Sequence, residues 1–151
     1  MKKMSASTED YLRQLIVQLQ TFETTYQEIR SRLSLLDAAL SEISVASMTL
    51  KGVKTLDNDS EILIPIGGGS FVRAKLSDTN NVIHSIGSGV STEKTIDLAQ
   101  ADFDNRISDF QRIRNTLNQQ LNQAAVAITN IRNQIQQITQ KYEGEAGVRT
   151  A

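Results

Sequence analysis

Ile62-Leu63-Ile64-Pro65-Ile66-Gly67-Gly68-Gly69-Ser70-Phe71-Val72-Arg73-Ala74-Lys75-Leu76 is the stretch that decides the fold. With Glu61 before it, the first six residues form a short β-type run, and three glycines break it. Ser70–Leu76 then alternates, with Val72, Ala74 and Leu76 on one side and Arg73 and Lys75 on the other. Pro65 has no N–H to give to a ladder, so its nitrogen belongs on a sheet edge. Asp78-Thr79-Asn80-Asn81 supplies turn chemistry, since Asn tolerates positive φ. Val82–Ile86 is a third run, Gly87-Ser88-Gly89 a third break, and Val90–Lys94 a fourth run. Residues 61–94 therefore predict two successive β-hairpins.

Working outward, each flank carries a different period. From about residue 7 to 54, apolar residues recur at Leu12, Leu15, Leu19, Phe22, Tyr26, Ile29, Leu33, Leu36, Leu40 and Ile43. Steps of three and four alternate without a break, which is a heptad seam. At the helical rise such a segment is a rod about 70 Å long. Ser7, with Asp10 three residues on, is read as its start. From about residue 95 to 142 the same stepping gives Phe103, Ile107, Phe110, Arg114, Leu117, Leu121, Ala124, Ile128, Ile131, Ile135, Ile138 and Tyr142. Thr95 is the expected N-cap, and Gly144 and Gly147 make residues 143–151 a loose tail. Arg114 either fixes register as a buried seam residue or, the favoured reading, lays its stem on the seam and carries its charge outward.

The layout predicts an α+β chain, a single unit over 1–151 in which two long helices fold back as an antiparallel coiled coil with two β-hairpins at one end. The register that sets large residues against small ones places Tyr26 opposite Ala124 and Ser47 opposite Phe103.

Composition agrees with thin helix seams. Aromatics make up 5% of the chain and tryptophan is absent, too little for a conventional globular core. With 16 Lys+Arg against 17 Asp+Glu, no basic excess suggests nucleic acid as a partner. Cysteine is absent, which excludes disulfides, thiolate metal sites and cysteine nucleophiles. No uninterrupted apolar run approaches the roughly 18 residues of a membrane span, and no signal peptide is visible, so the expected location is the cytoplasm.

Two isolated hairpins are unstable in water. Their residues Ile62, Leu63, Ile64, Ile66, Phe71, Val72, Leu76, Val82, Ile83, Ile86 and Val90 need cover, and strands contributed by other subunits would close them into a barrel without exposed edges. The assembly set is Ile62, Ile64, Ile66, Phe71, Val72, Leu76, Val82, Ile86 and Val90. At the other end of the rods, Met4, Tyr11, Leu12, Ile16, Ile135, Ile138 and Tyr142 have no capping domain and form the candidate binding surface.

The 62–76 stretch resembles the first hairpin of archaeal prefoldin alpha subunits. Val82-Ile83-His84-Ser85-Ile86-Gly87-Ser88-Gly89-Val90, followed by Glu93-Lys94, resembles the second. The flanking heptad rods extend the likeness over nearly the whole chain, and beta subunits of that family have one hairpin where this chain has two. The resemblance implies a hexamer of two alpha and four beta subunits, joined through a hairpin barrel, with six coiled coils projecting from it. It also implies that the coiled-coil tips hold unfolded polypeptides and deliver them to a group II chaperonin, without nucleotide.

Competing readings of single motifs are weaker. Gly67–Gly69 lacks the Gly-Lys-Ser/Thr ending of a phosphate loop. His84, the single histidine, has no ligand-spaced partner in sequence and is read as a strand-surface residue. Asp57, Asp59 and Glu61 lack the rest of a calcium loop. No nucleophile, base and orienting group converge, so no enzyme activity, cofactor or metal is expected. The alternative function is a structural tether or adaptor that docks through its hairpins.

Overall fold

The computed structural model describes residues 4–147, in the order α1 (Ala6–Val53), β1 (Glu61–Gly67), β2 (Ser70–Lys75), β3 (Asn81–Gly87), β4 (Val90–Thr95), α2 (Ile96–Gly147). Residues 1–3 and the expected tail beyond Gly147 lie outside the described residues.

Helix termini follow from local chemistry. Thr95 Oγ1 accepts the Leu98 N–H at 3.3 Å, the expected N-cap of α2. At α1 the cap is Ser5 rather than Ser7: its hydroxyl accepts the Thr8 N–H at 3.3 Å. α2 also runs five residues past Tyr142, through Gly144. A glycine costs a helix only about 1 kcal/mol, too little by itself to end it at Gly144.

The chain divides into two compact units, Asp37–Arg112 and Met1–Leu36 with Ile113–Ala151. In the second, helix pairs with helix. The heptad positions Leu15, Ile29, Leu117, Ala124, Ile128 and Ile131 are buried, and Arg132 binds Glu23 at 2.5 Å across the pair. Arg114 alone among the expected α2 seam positions is exposed, as the outward-charge reading requires.

In the hairpin unit, Leu50, Ile96 and Ala99 form a small core, with Val53, Val82 and Phe103 packed against it. A buried polar group extends this contact. Gln100 Nε2 donates to Ser47 Oγ at 2.5 Å, and Ser47 donates to Asp104 Oδ1 at 3.2 Å. Ser47 therefore meets the turn of α2 that contains Phe103, the register expected from side-chain size.

β1 and β2 form one antiparallel pair and β3 and β4 another, with no ladder between the pairs. Each hairpin turns through two residues, with a register shift just before the turn. Gly68 and Ser88 occupy equivalent turn positions, with φ of +58° and +53°. The 78–81 connection is built differently from expectation. No Asn takes positive φ among the described residues; instead Asp78 Oδ1 accepts the Asn80 and Asn81 N–H groups at 2.8 and 3.0 Å. These bonds hold its carboxyl below the ordinary value of 3.8, because they favour the charged form.

One composition reading needs correction. α1 contains an 18-residue window with mean hydropathy 1.3, long and apolar enough to cross a membrane by length and composition, though only 17% of it is buried. Counting uninterrupted apolar runs missed it. Seam residues and the outward-facing Leu35, Val45 and Met48 are interleaved with small polar residues, and together they raise the average.

Candidate functional site: the hairpin surfaces and the helix ends

Register decides what each hairpin presents. In β1–β2, Ile62 pairs with Ala74 and Ile64 with Val72, so these four share a face; Leu63, Pro65, Phe71 and Arg73 share the other. Neither face is fully covered. Leu63, Ile64, Ile66, Phe71 and Val72 are all exposed. Burying a side chain of this size fully is worth about 1.5–3 kcal/mol, so hairpin 1 holds a large unspent driving force for association.

Hairpin 2 differs, and here the expectation that no part of the chain covers the hairpins is corrected. Val82, His84, Thr92 and Lys94 share one face by register, and this face packs on α2. His84 is 4% exposed, not a surface residue, and its ring meets Phe103 edge-on with centroids 5.0 Å apart. Its Nε2 lies 3.2 Å from Asp102 Oδ2, without hydrogen-bond geometry. Lys94 Nζ donates to the same oxygen at 2.6 Å. That hydrogen bond is the chief reason the Asp102 carboxyl is held below 3.8; the charges of Lys94, His84 and Arg106 add to it, and desolvation opposes it. The opposite face carries Ile83, 84% exposed.

Of the residues expected to drive assembly, Ile64, Ile66, Phe71, Val72, Ile86 and Val90 are exposed, while Ile62 and Leu76 are half-buried. Val82 is drawn into the intrachain core instead.

At the ends of the helices, Tyr11 and Ile16 are exposed, whereas Met4, Leu12, Ile135, Ile138 and Tyr142 are half-buried. Val17, which sequence reasoning passed over because it falls off the seam, is 61% exposed beside them. Further along this unit an open groove of about 1180 Å³ runs past Tyr26, Ala125 and Ile128, with the Glu23–Arg132 ion pair on its wall. Among the described residues no group of three His, Cys, Asp or Glu side chains could hold a metal ion.

The architecture is a pair of long helices with two β-hairpins, one packed on α2 and one largely exposed. The chain belongs to the prefoldin family: the prefoldin subunit model matches residues 22–141. Within it the likeness is to alpha subunits. The prefoldin alpha subunit of Methanopyrus kandleri is 35% identical over 120 residues, covering 80% of this chain and 76% of that protein. That of Pyrococcus horikoshii is 33% identical over 106 residues, covering 70% and 72%. Among solved structures, a filamentous PFD from Methanocaldococcus jannaschii shares the fold, with TM-score 0.63 and 23% identity over 76% of this chain and 95% of that one. The prefoldin beta subunit from a Thermococcus strain follows at TM-score 0.57 and 16% identity, covering 91% of this chain and 96% of that one.

Proposed function

We propose that the chain is an ATP-independent chaperone subunit of the cytoplasm. In this reading it assembles through its hairpins with prefoldin beta subunits, two alpha with four beta. It holds unfolded polypeptides at the ends of its helices and passes them to a group II chaperonin. It uses no nucleotide or metal and acts neither on nucleic acid nor in a membrane.

The observation that carries this reading is the distribution of exposed apolar surface. Hairpin 1 presents ordered strands whose Leu63, Ile64, Ile66, Phe71 and Val72 are exposed, and hairpin 2 presents Ile83, Ile86 and Val90, exposed as well. Such ordered surface suits a partner of fixed shape. The helix ends present Tyr11, Ile16 and Val17 beside a half-buried seam. Helix ends leave backbone groups unpaired and fray, which turns seam residues such as Leu12, Ile135 and Ile138 outward. A soft surface of this kind accepts many chains weakly, and several copies acting together raise avidity.

The test is suppression of aggregation of several unrelated denatured proteins by the chain co-assembled with a beta-type subunit, without nucleotide and with chelator present. Protection of all of them is expected. Protection of one protein only, or protection that requires ATP, would contradict the proposal.

A further inference from the structure

A short stretch of α2 holds two partners at once. β4 ends at Thr95 and α2 begins at Ile96, so strand passes into helix without a linker. Ile96 N–H donates to Asn80 O at 2.9 Å, which ties the first residue of the helix to the residue before β3. Over the next turns α2 faces two ways. Gln100 and Asp104 engage Ser47 of α1. Asp102 accepts Lys94, and Arg106 Nη2 donates to the Ser85 carbonyl at 3.4 Å. Phe103 belongs to both contacts: it packs against the Leu50, Ile96 and Ala99 core, and its ring meets His84 of β3 edge-on. Close-packed interiors compress little and pass displacement on. Hairpin 2 therefore cannot tilt without moving Phe103 against the core that α2 shares with α1.

Hairpin 1 is held in another way. Residues 54–60 lead into it and residues 76–80 lead out. These two segments are braced to each other: Asp59 N–H donates to Leu76 O at 2.7 Å, and Thr79 N–H donates to Asn58 Oδ1 at 3.1 Å. Among the described residues no hydrogen bond or ion pair joins β1 or β2 to either helix. The half-buried positions Ile62, Ala74 and Leu76 all lie at the end nearest the two connecting segments, and the rest of the hairpin is exposed.

We infer that residues 96–106 of α2 are a rigid joint that fixes the direction in which the base of the helix pair leaves hairpin 2, with Phe103 as the positioning residue that couples the two contacts. Hairpin 1 is the part that reorients. Joined to the reading that the hairpins assemble, this makes hairpin 2 the element that aims the helices and hairpin 1 the element that adapts to its neighbour.

The chain has no cysteine, so introduced pairs carry the only spin labels. Double electron–electron resonance is measured between Ser108→Cys on α2 and either Ile83→Cys on hairpin 2 or Phe71→Cys on hairpin 1. In the free chain the 83–108 distance distribution should be narrow and the 71–108 distribution broad. Adding a beta-type subunit should leave the first unchanged and narrow the second. Phe103→Ala should broaden the 83–108 distribution while helical circular dichroism persists. Ile128→Ala, which truncates a buried residue of the other unit, should leave it narrow. If Phe103→Ala does not fold, Phe103→Leu takes its place. Equal widths for the two pairs in the free chain would overturn the inference, and so would an 83–108 distance unmoved by the Phe103 substitution or broadened as much by Ile128→Ala. The free-chain distances are independent of assembly: should the 71–108 distribution stay broad because no complex forms with the subunit, the assembly reading falls and the joint stands.

Discussion

The two hairpins are near copies in register and turn, and they are used differently. Both pair strands of seven and six residues, and both carry a register shift before a two-residue turn. Hairpin 2 lays Val82, His84 and Lys94 on α2, where Phe103 and Asp102 receive them. Hairpin 1 has apolar side chains on both faces, and most of them are exposed. A two-stranded sheet alone is marginal, so hairpin 2 takes part of its stability from its own chain, and hairpin 1 must take its stability from elsewhere. The same motif thus stands once anchored on its own helix and once with most of its apolar residues exposed.

This difference can be broken from either side. The largest effect is expected from Ile64→Asp or Val72→Asp. A charge buried without a partner costs on the order of several kcal/mol, more than about a hundredfold in association. Sedimentation with a beta-type subunit should show dissociation while helical circular dichroism persists. A retained complex would show that hairpin 1 is not the association element.

Ile96→Ala attacks the anchored side. Ile96 is 3% exposed in the core under hairpin 2, and truncating such a residue costs about 2–5 kcal/mol. Denaturant unfolding should shift accordingly. The effect should be larger than that of Leu63→Ala in the unassembled chain, because Leu63 is already 62% exposed there.

Acid should loosen hairpin 2 more gently. The Asp102 carboxyl is held below 3.8, first by the Lys94 hydrogen bond. Its contribution is therefore present above pH 3.8 and is lost as pH falls through the depressed value. Resonances of His84 and Phe103 should report the loss below about pH 4, and Asp102→Asn should abolish that part of the transition.

The smallest effect is expected at the turn. Ser88 holds a φ of +53° where hairpin 1 has Gly68 at +58°. Left-handed backbone costs a residue with a Cβ about 1 kcal/mol. Ser88→Gly should stabilise hairpin 2 by at most that amount, measured by thermal unfolding, while Gly68→Ser should destabilise hairpin 1.

The coiled coil was legible because a heptad is a local pattern: Leu12 to Ile43 and Phe103 to Tyr142 announce their seam through spacing alone. The strands and their breaks were legible for the same reason, and Pro65 foretold its own edge. The docking of hairpin 2 was not, because it depends on residues that look ordinary in sequence. Asp102 and Arg106 read as solvated helix surface, and His84 has no nearby partner along the chain. Only the return of α2 beneath β3 and β4 brings them together. At the helix ends, spacing located Leu12, Ile135 and Ile138 but could not show that Tyr11, Ile16 and Val17 are the exposed members. Exposure there depends on how far each residue sits from the seam axis. The shift of the α1 cap from Ser7 to Ser5 reflects a run of hydroxyl residues in which several can cap.

The proposed division of labour between hairpins and helix ends is tested most directly by removing Met1–Leu12 together with Ile138–Ala151 and assembling the shortened chain with a beta-type subunit trimmed at its own helix ends. The measurement is aggregation suppression for several denatured proteins, alongside the mass of the complex. The account predicts a complex of unchanged subunit composition, since residues 61–95 are untouched, with protection largely lost. An intact complex that protects as well as the untrimmed one would contradict it.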